Sequence, residues 1–165
     1  RVSDIIHTFA NIHKEIPSKL LMVGDGPDRP DAEDLCRELK ICDDVRFLGK
    51  QQEMEEILAI SDLFILTSEY ESFGLSALEA MAAGVPVLST NAGGLPEINI
   101  HGQTGFMANV GDVKEMSRLG IELLRNEELL KTFKQNAREH ALKFDIHHII
   151  PSYEKLYERF VPATV

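Results

Sequence analysis

Tryptophan is absent from this 165-residue chain, cysteine occurs only twice, and aromatic residues make up 7% of the side chains. Basic residues are scarce as well: 17 Lys and Arg stand against 27 Asp and Glu, a formal net charge of −10 at pH 7. Nucleic acid and anionic membranes both select for basic patches, so this balance argues against either as a partner. Cys36 and Cys42 have no companion His or Cys at ligand spacing, which argues for reduced thiols over a disulfide or a zinc site. No metal is expected. Long apolar runs are missing too. No window approaches the roughly 20 apolar residues that cross a bilayer, and the chain does not open with a charged-then-apolar leader. A soluble, cytoplasmic protein is expected.

What is present is core. Hydrophobic residues make up 44% of the chain, enough for one sizeable buried interior. "RVSDIIHTFANIHKEI" sets Val2, Ile5, Ile6, Phe9, Ile12 and Ile16 on one helical face from almost the first residue. This pattern leaves little room for a lead-in and reads as a domain cut from a longer chain. Strand-like and helix-like segments then alternate: "KLLMVGDGP", "DRPDAEDLCRELKI", "VRFLG", "QQEMEEILAIS", "DLFILTS", "GLSALEAMAA" and "PVLST". Short strands separated by helices predict an α/β fold with a doubly wound parallel sheet and right-handed crossovers. Beyond Asn109, two helices and then a last one follow. In the last, Ile149, Tyr153, Leu156, Tyr157 and Phe160 form one apolar face, either ordinary core or a surface for a second domain.

In open α/β sheets ligands sit at the carboxyl ends of the strands. Two unusual loops fall there: Ser68 to Gly74, and "NAGGLPE" after "PVLST". The helix from about Gly74 to Ala83 has Ser72 as a candidate cap, Gly84 as its terminator and Pro86 beyond. Its amides at Phe73, Gly74 and Leu75 could receive an anion, and Gly74 would let a phosphate approach the backbone. Partial charge from a helix start also reconciles an anionic ligand with an acidic chain; a plain helix start is the alternative. Glu79, one turn beyond Leu75, is expected at the edge of the core-facing side, where an unpaired carboxylate is costly. A ribose diol would satisfy it; a salt bridge to a neighbouring helix is the other reading. The eight-residue step from Glu71 to Glu79 disfavours the carboxylate pair of a glycosidase. In the second loop Gly93 and Gly94 permit backbone approach, and Pro96 and Glu97 suit a helix start. His147 and His148 read as a solvated pair and His101 as a turn residue. "VGDGP" alone is a weak signal.

The E-x7-E of Glu71 and Glu79 within "FGLSALEAMAAGVPVLSTNAGGLPE", together with "VGDGP", "VRFLG", "SDLFILTSEYESFGL" and "GQTGFMANVGD", resembles the nucleotide-sugar-binding C-terminal domain of glycosyltransferase family 4. The resemblance implies the C-terminal, Rossmann-like half of a GT-B fold. Residues 1–145 would form the nucleotide-sugar-binding domain, and 146–165 a helix packing towards an N-terminal acceptor domain. It implies that Glu79 holds the ribose diol, and that Glu71, the candidate catalytic residue, meets the donor with the Phe73, Gly74 and Leu75 backbone. Asn91, Gly93 and Gly94 would border the pocket, while Gly24 and the stretch from Phe47 to Lys50 would flank the base. Catalysis would be retaining and metal-free. Within the family, the wording implies transfer of N-acetylglucosamine from UDP-N-acetylglucosamine to L-malate at the start of bacillithiol synthesis. The family's Arg and Lys that meet the diphosphate normally precede the first helix, so Arg1 is not credited with that role, and weak binding and no turnover are expected of this segment alone. Another donor or acceptor, a nucleotide-sugar epimerase and a non-catalytic binding module are the alternatives, and a homo-oligomer is compatible with all of them.

Overall fold

The computed structural model describes residues 1–160; the last five residues of the predicted terminal helix segment lie outside them. Helix α1 (Val2–Glu15) buries Ile6, Phe9, Ala10 and Ile12, the face its apolar spacing predicted. Asp4 in its first turn and His13 and Lys14 in its last complement the helix dipole. Strand β1 (Leu20–Val23) leads through α2 (Arg29–Glu38) to β2 (Val45–Gly49), which pairs with it in parallel. After α3 (Met54–Ala59) come β3 (Phe64–Leu66), α4 (Leu75–Ala82), β4 (Val87–Thr90), α5 (Leu95–Ile98) and β5 (Gly105–Ala108). These three strands form a second parallel sheet in the order β3-β4-β5. Helices α6 (Val113–Arg125), α7 (Glu127–Ala141) and α8 (Ile146–Glu158) complete the chain.

The expected α/β class with parallel strands and flanking helices is present, with one addition. Within this segment the strands pair as two ladders. A fifth strand, β5, lies where no strand was predicted: Gly-Phe-Met-Ala has no β-branched residue, and its burial comes from β4 and α6 rather than from its own composition.

Three buried clusters flank this division, one around the first sheet and two around the second. Ile6, Phe9, Ala10, Ala32, Cys36, Ile41 and Val45 pack together around β1 and β2. Around the second sheet, α4, α5 and α7 contribute Ala77, Met81, Leu95, Ile98 and Ala137, while α6 contributes Met116, Leu119 and Leu123. The seam between the halves is α1 against α6. It is close because Gly120 has no side chain: a Cβ there would stand 2.7 Å from Ile12 Cδ1 and 3.3 Å from Leu88 Cδ2. Both cysteines are free thiols, Cys36 buried and Cys42 exposed. Among the described residues no helix is long and apolar enough to cross a membrane. The apolar stripe of α8 is not core: Ile149, Tyr153, Leu156 and Tyr157 are all exposed, as is Phe160 beyond the helix end.

One polar side chain ties the second sheet together from inside. Asn99, fully buried after α5, donates through Nδ2 to the Val87 and Phe106 carbonyls at 3.1 and 3.2 Å and to Ser89 Oγ at 2.9 Å. Its Oδ1 accepts from Thr104 Oγ1 at 3.2 Å. Replacing it with alanine strands these groups without water. Asn99→Ala should cost about 2–4 kcal/mol, a fall in Tm of about 5–15 °C by calorimetry. A second expectation concerns pH. Burial, followed by the nearby Lys143, holds the His140 imidazole below its ordinary value of 6.5. The unfolded chain therefore takes up that proton first on acidification, so the stabilisation is present above about pH 6.5 and is lost as the pH falls below it. Thermal melts below pH 6.5 should show a slope that shrinks in His140→Asn; an unchanged slope would assign it to other groups.

Candidate functional site

The loops after β3 and β4 meet backbone to backbone. The Gly94 amide donates to the Glu71 carbonyl at 3.0 Å. A Cβ on Gly94 would lie 2.5 Å from the Ser72 carbonyl oxygen, and one on Gly93 only 1.7 Å from that of Glu71. The doubled glycine thus lets one loop approach the other, where the sequence suggested approach by a ligand.

Gly74 is also differently employed. It is the N-cap of α4 with φ +95°, a left-handed conformation that favours glycine, and a Cβ there would press on Leu95 and Ile98 at 2.8 and 2.9 Å. Its bareness serves packing against α5, not access to phosphate. Ser72, the expected cap, makes no capping bond; Glu71 Oε1 instead accepts from the Gly74 amide at 3.1 Å. That amide is therefore taken. The amides left without an acceptor at the start of α4 are those of Leu75, Ser76 and Ala77, so of the expected amides Leu75 stays in the anion-binding candidate and Ser76 and Ala77 join it. Ser76 was not anticipated, because only the left-handed Gly74 reveals where the helix begins.

The burial expected of Glu79 is overturned. Helix α4 turns Ala77, Ala80 and Met81 inward, and Glu79 is exposed beside Leu75, which is 66% exposed. The buried face is narrow and leaves the i, i+4 pair 75/79 outside it. Phe73 is anchored the other way, its ring meeting Phe144 edge-on at 5.9 Å. Asn91, at the end of β4, donates to Asn109 Oδ1 at 2.9 Å, fastening β4 to the turn after β5.

Gly24 and Phe47 sit apart from these loops, at the carboxyl end of the other sheet. The Gly24 amide donates to the Gly49 carbonyl at 2.9 Å, closing the turn over a hollow of about 190 Å³ lined by Val2, Met22, Val23, Gly24 to Arg29, Ala32 and Phe47. Lys50 is exposed and does not line the hollow. Arg29, which sequence reasoning passed over, has its guanidinium 5.8 Å from the Phe47 ring centroid and its Nε 2.8 Å from Glu33 Oε1. Arg1 stands between the two groups of residues. Its Nε lies 2.6 Å from Asp4 and its Nη1 3.8 Å from Glu69, and Asp4 first among them raises its pKa above the ordinary arginine value. His101 stands just before the turn at 102–104, in an isolated bridge with Gly105, its Nδ1 accepting from the Met107 amide at 3.0 Å, and His147 and His148 are both exposed.

In α/β folds with parallel strands, ligands bind at the carboxyl ends of the strands, and there this chain sets the start of α4 with the amides of Leu75, Ser76 and Ala77 free. Residues 1–140 match the family Glycosyl transferases group 1, and the chain belongs to that family. It is 46% identical, over 95% of its length, to N-acetyl-alpha-D-glucosaminyl L-malate synthase from Bacillus anthracis. It is 32% identical, over 91% of its length, to 2-deoxystreptamine N-acetyl-D-glucosaminyltransferase from Niallia circulans. The chain spans 42% and 41% of these two relatives. Among solved structures, Alr3699/HepE from Anabaena in complex with UDP and glucose superposes with a TM-score of 0.85 at 25% identity, over 93% of this chain and 44% of that one. TarM from S. aureus shares the fold at a TM-score of 0.89 and 22% identity, over 95% of this chain and 32% of that one. The fold is Rossmann-like, as in the C-terminal half of GT-B glycosyltransferases.

Gly94→Ala tests the loop contact cleanly, because its backbone conformation suits any residue and what stands in the way is the backbone of the other loop, the Ser72 carbonyl and the Phe73 Cα. It should cost about 1–3 kcal/mol and shift the amide resonances of Glu71 to Leu75. Gly26→Ala, with nothing within 4 Å of the added Cβ, should leave both unchanged.

Proposed function

We propose that the full-length protein is a cytoplasmic, retaining glycosyltransferase that moves N-acetylglucosamine from UDP-N-acetylglucosamine to L-malate, the opening step of bacillithiol synthesis, and that this chain forms its donor side. The observation that carries the choice of substrates is the 46% identity with the Bacillus anthracis synthase across 95% of the chain. A second relative supports the donor half of the reading: the Niallia circulans enzyme is also named for N-acetylglucosaminyl transfer but to a different acceptor. Two relatives that share a named sugar and differ in acceptor, yet both match this segment, favour a segment concerned with the donor.

In this reading the free amides of Leu75 and Ser76 meet the diphosphate, where the partial positive charge of the α4 start stabilises the leaving group as negative charge develops. Glu79 accepts from the ribose hydroxyls. Glu71, held by the Gly74 amide at 3.1 Å, stands beside the sugar. The Phe47 and Gly24 hollow takes the base. Charge stabilisation by backbone dipoles needs no metal. The exposed stripe from Ile149 to Tyr157 on α8 faces the acceptor domain.

The test is an assay of the full-length protein for UDP release with UDP-N-acetylglucosamine, with and without L-malate. Malate-dependent release is expected, and Glu79→Ala should lower kcat/KM for the donor about 10- to 100-fold, the loss of hydrogen bonds to a charged acceptor. Because Glu79 is exposed, its Tm should move by less than about 0.5 kcal/mol would cause. Donor turnover without malate would point to an epimerase, turnover only with another acceptor to another transferase of the family, and binding without turnover to a non-catalytic module.

A further inference from the structure

The hollow at the carboxyl end of the first sheet holds one cation. Three charged side chains line it, Asp25, Asp28 and Arg29, against apolar walls that include Met22, Ala32 and Phe47. Both aspartates are exposed, whereas Arg29 is half-buried, its side chain 36% exposed. Water screens the carboxylates at the rim more than it screens the guanidinium beside the apolar walls. Arg29 is therefore the charged group that a ligand in the hollow meets most directly.

Arg29 is fixed on two sides. Its Nε donates to Glu33 Oε1 at 2.8 Å, one turn along α2, and its guanidinium carbon stands 5.8 Å from the centroid of the Phe47 ring, within cation–π range. Asp25 Oδ1 stands 3.8 Å from Nη1, beyond hydrogen-bond reach. A guanidinium carries five N–H donors. Among the described residues only the one on Nε has an acceptor, which leaves those of Nη1 and Nη2 unfilled. Gly49 keeps the edge beside Nη1 open, since a side chain built there would start 3.8 Å from it.

Such a group has a chemical preference. Arginine donates and never accepts, so the edge of a heterocycle turned towards it must carry an acceptor. Uracil and cytosine have the same ring size and differ at C4, where a keto oxygen accepts and an amino group donates. An amino group set against the guanidinium leaves donors on both sides unpaired, the penalty by which polar sites reject an analogue of the right shape. A mobile arginine would swing aside. One pinned through Nε and stacked on Phe47 must give up both contacts to do so, and this preorganisation is what turns a preference into a selection.

We propose that Arg29 selects the base of the nucleotide, its Nη groups donating to the C4 keto oxygen of a uracil and rejecting the C4 amino group of a cytosine; this rests on the reading that the hollow takes the base. A purely structural role would look different. In it Arg29 and Glu33 would form a surface i, i+4 pair, worth little in water, and the Phe47 contact would tie α2 to β2. Neither contact uses the Nη donors on the open edge, and neither distinguishes one pyrimidine from the other.

Titration of the full-length protein with UDP and with CDP tests this, calorimetry giving the affinities and amide chemical shifts the place of binding. Wild type should prefer UDP by about 10- to 100-fold, with UDP shifting the amides of Gly24 and Phe47. In Arg29→Gln the preference should fall to near parity, because a carboxamide can turn either its oxygen or its nitrogen to the base. The variant should melt as wild type does, since only exposed ion pairs are lost. A wild type without preference, a preference unchanged in Arg29→Gln, or an equal loss of affinity for both ligands would overturn the selection by Arg29 while leaving the hollow as the base site. UDP binding that leaves Gly24 and Phe47 unshifted would overturn the base reading itself, and this inference with it.

Discussion

A single hydrogen bond, from the Gly94 amide to the Glu71 carbonyl at 3.0 Å, governs how the carboxyl end of the second sheet is built. It forms only because positions 93 and 94 have no side chains to strike the backbone from Glu71 to Phe73. Once the loops are in contact, the direction of the first is set. Glu71 can turn its carboxylate back on the Gly74 amide, and Gly74 can cap α4 while packed against Leu95 and Ile98. The site's geometry is therefore made of backbone, which is why it needs few polar side chains. Asn99 holds the far end of the same arrangement, binding β4 to β5 through the carbonyls of Val87 and Phe106.

This backbone construction bears on the charge of the chain. With 27 acidic against 17 basic residues, attraction of an anion by side chains is weak, and the two arginines nearest the site already have carboxylates beside them, Arg1 with Asp4 and Arg29 with Glu33. Helix-start amides are different in kind. Their partial charge falls off within the first turn, so they would act on a ligand seated at Leu75 and Ser76 without attracting anions to the surface at large. An acidic protein can be selective for one phosphate-bearing ligand in this way.

Legibility in the sequence followed the range of the interactions involved. Elements set by local periodicity, such as α1 and α6, or by short apolar runs closed by glycine, such as β1 and β2, could be read directly. β5 could not, because a Gly-Phe-Met-Ala strand exists only through its neighbours. The glycines at 74, 93 and 94 were rightly singled out, yet for the wrong partner: a sequence shows that a side chain is missing but not which atoms occupy the space. Ser76 escaped notice because the helix start depends on one left-handed residue. Glu79 was placed at the edge of the core-facing side because Leu75, one turn before it, was taken as core, whereas α4 turns Ala77, Ala80 and Met81 inward and leaves Leu75 exposed. The division between the ladders was out of reach altogether, since alternation of strands and helices says nothing about which strands lie side by side.

The exposure of Glu79 strengthens its candidacy as a ligand group even as it removes the reasoning that first drew attention to it. A buried, unpaired carboxylate would cost several kcal/mol in the empty protein and would seek any partner within reach, as Asp4 has done with Arg1. In water Glu79 bears no such penalty, and no salt bridge of the described residues engages it. Desolvation is incurred only as a ligand covers the 75/79 face, and a ligand that returns two hydrogen bonds offsets it where one that returns none does not. The discrimination between a vicinal diol and a deoxy analogue would then arise at the moment of binding, from the same unpaired-group penalty that makes polar sites reject ligands lacking a hydroxyl.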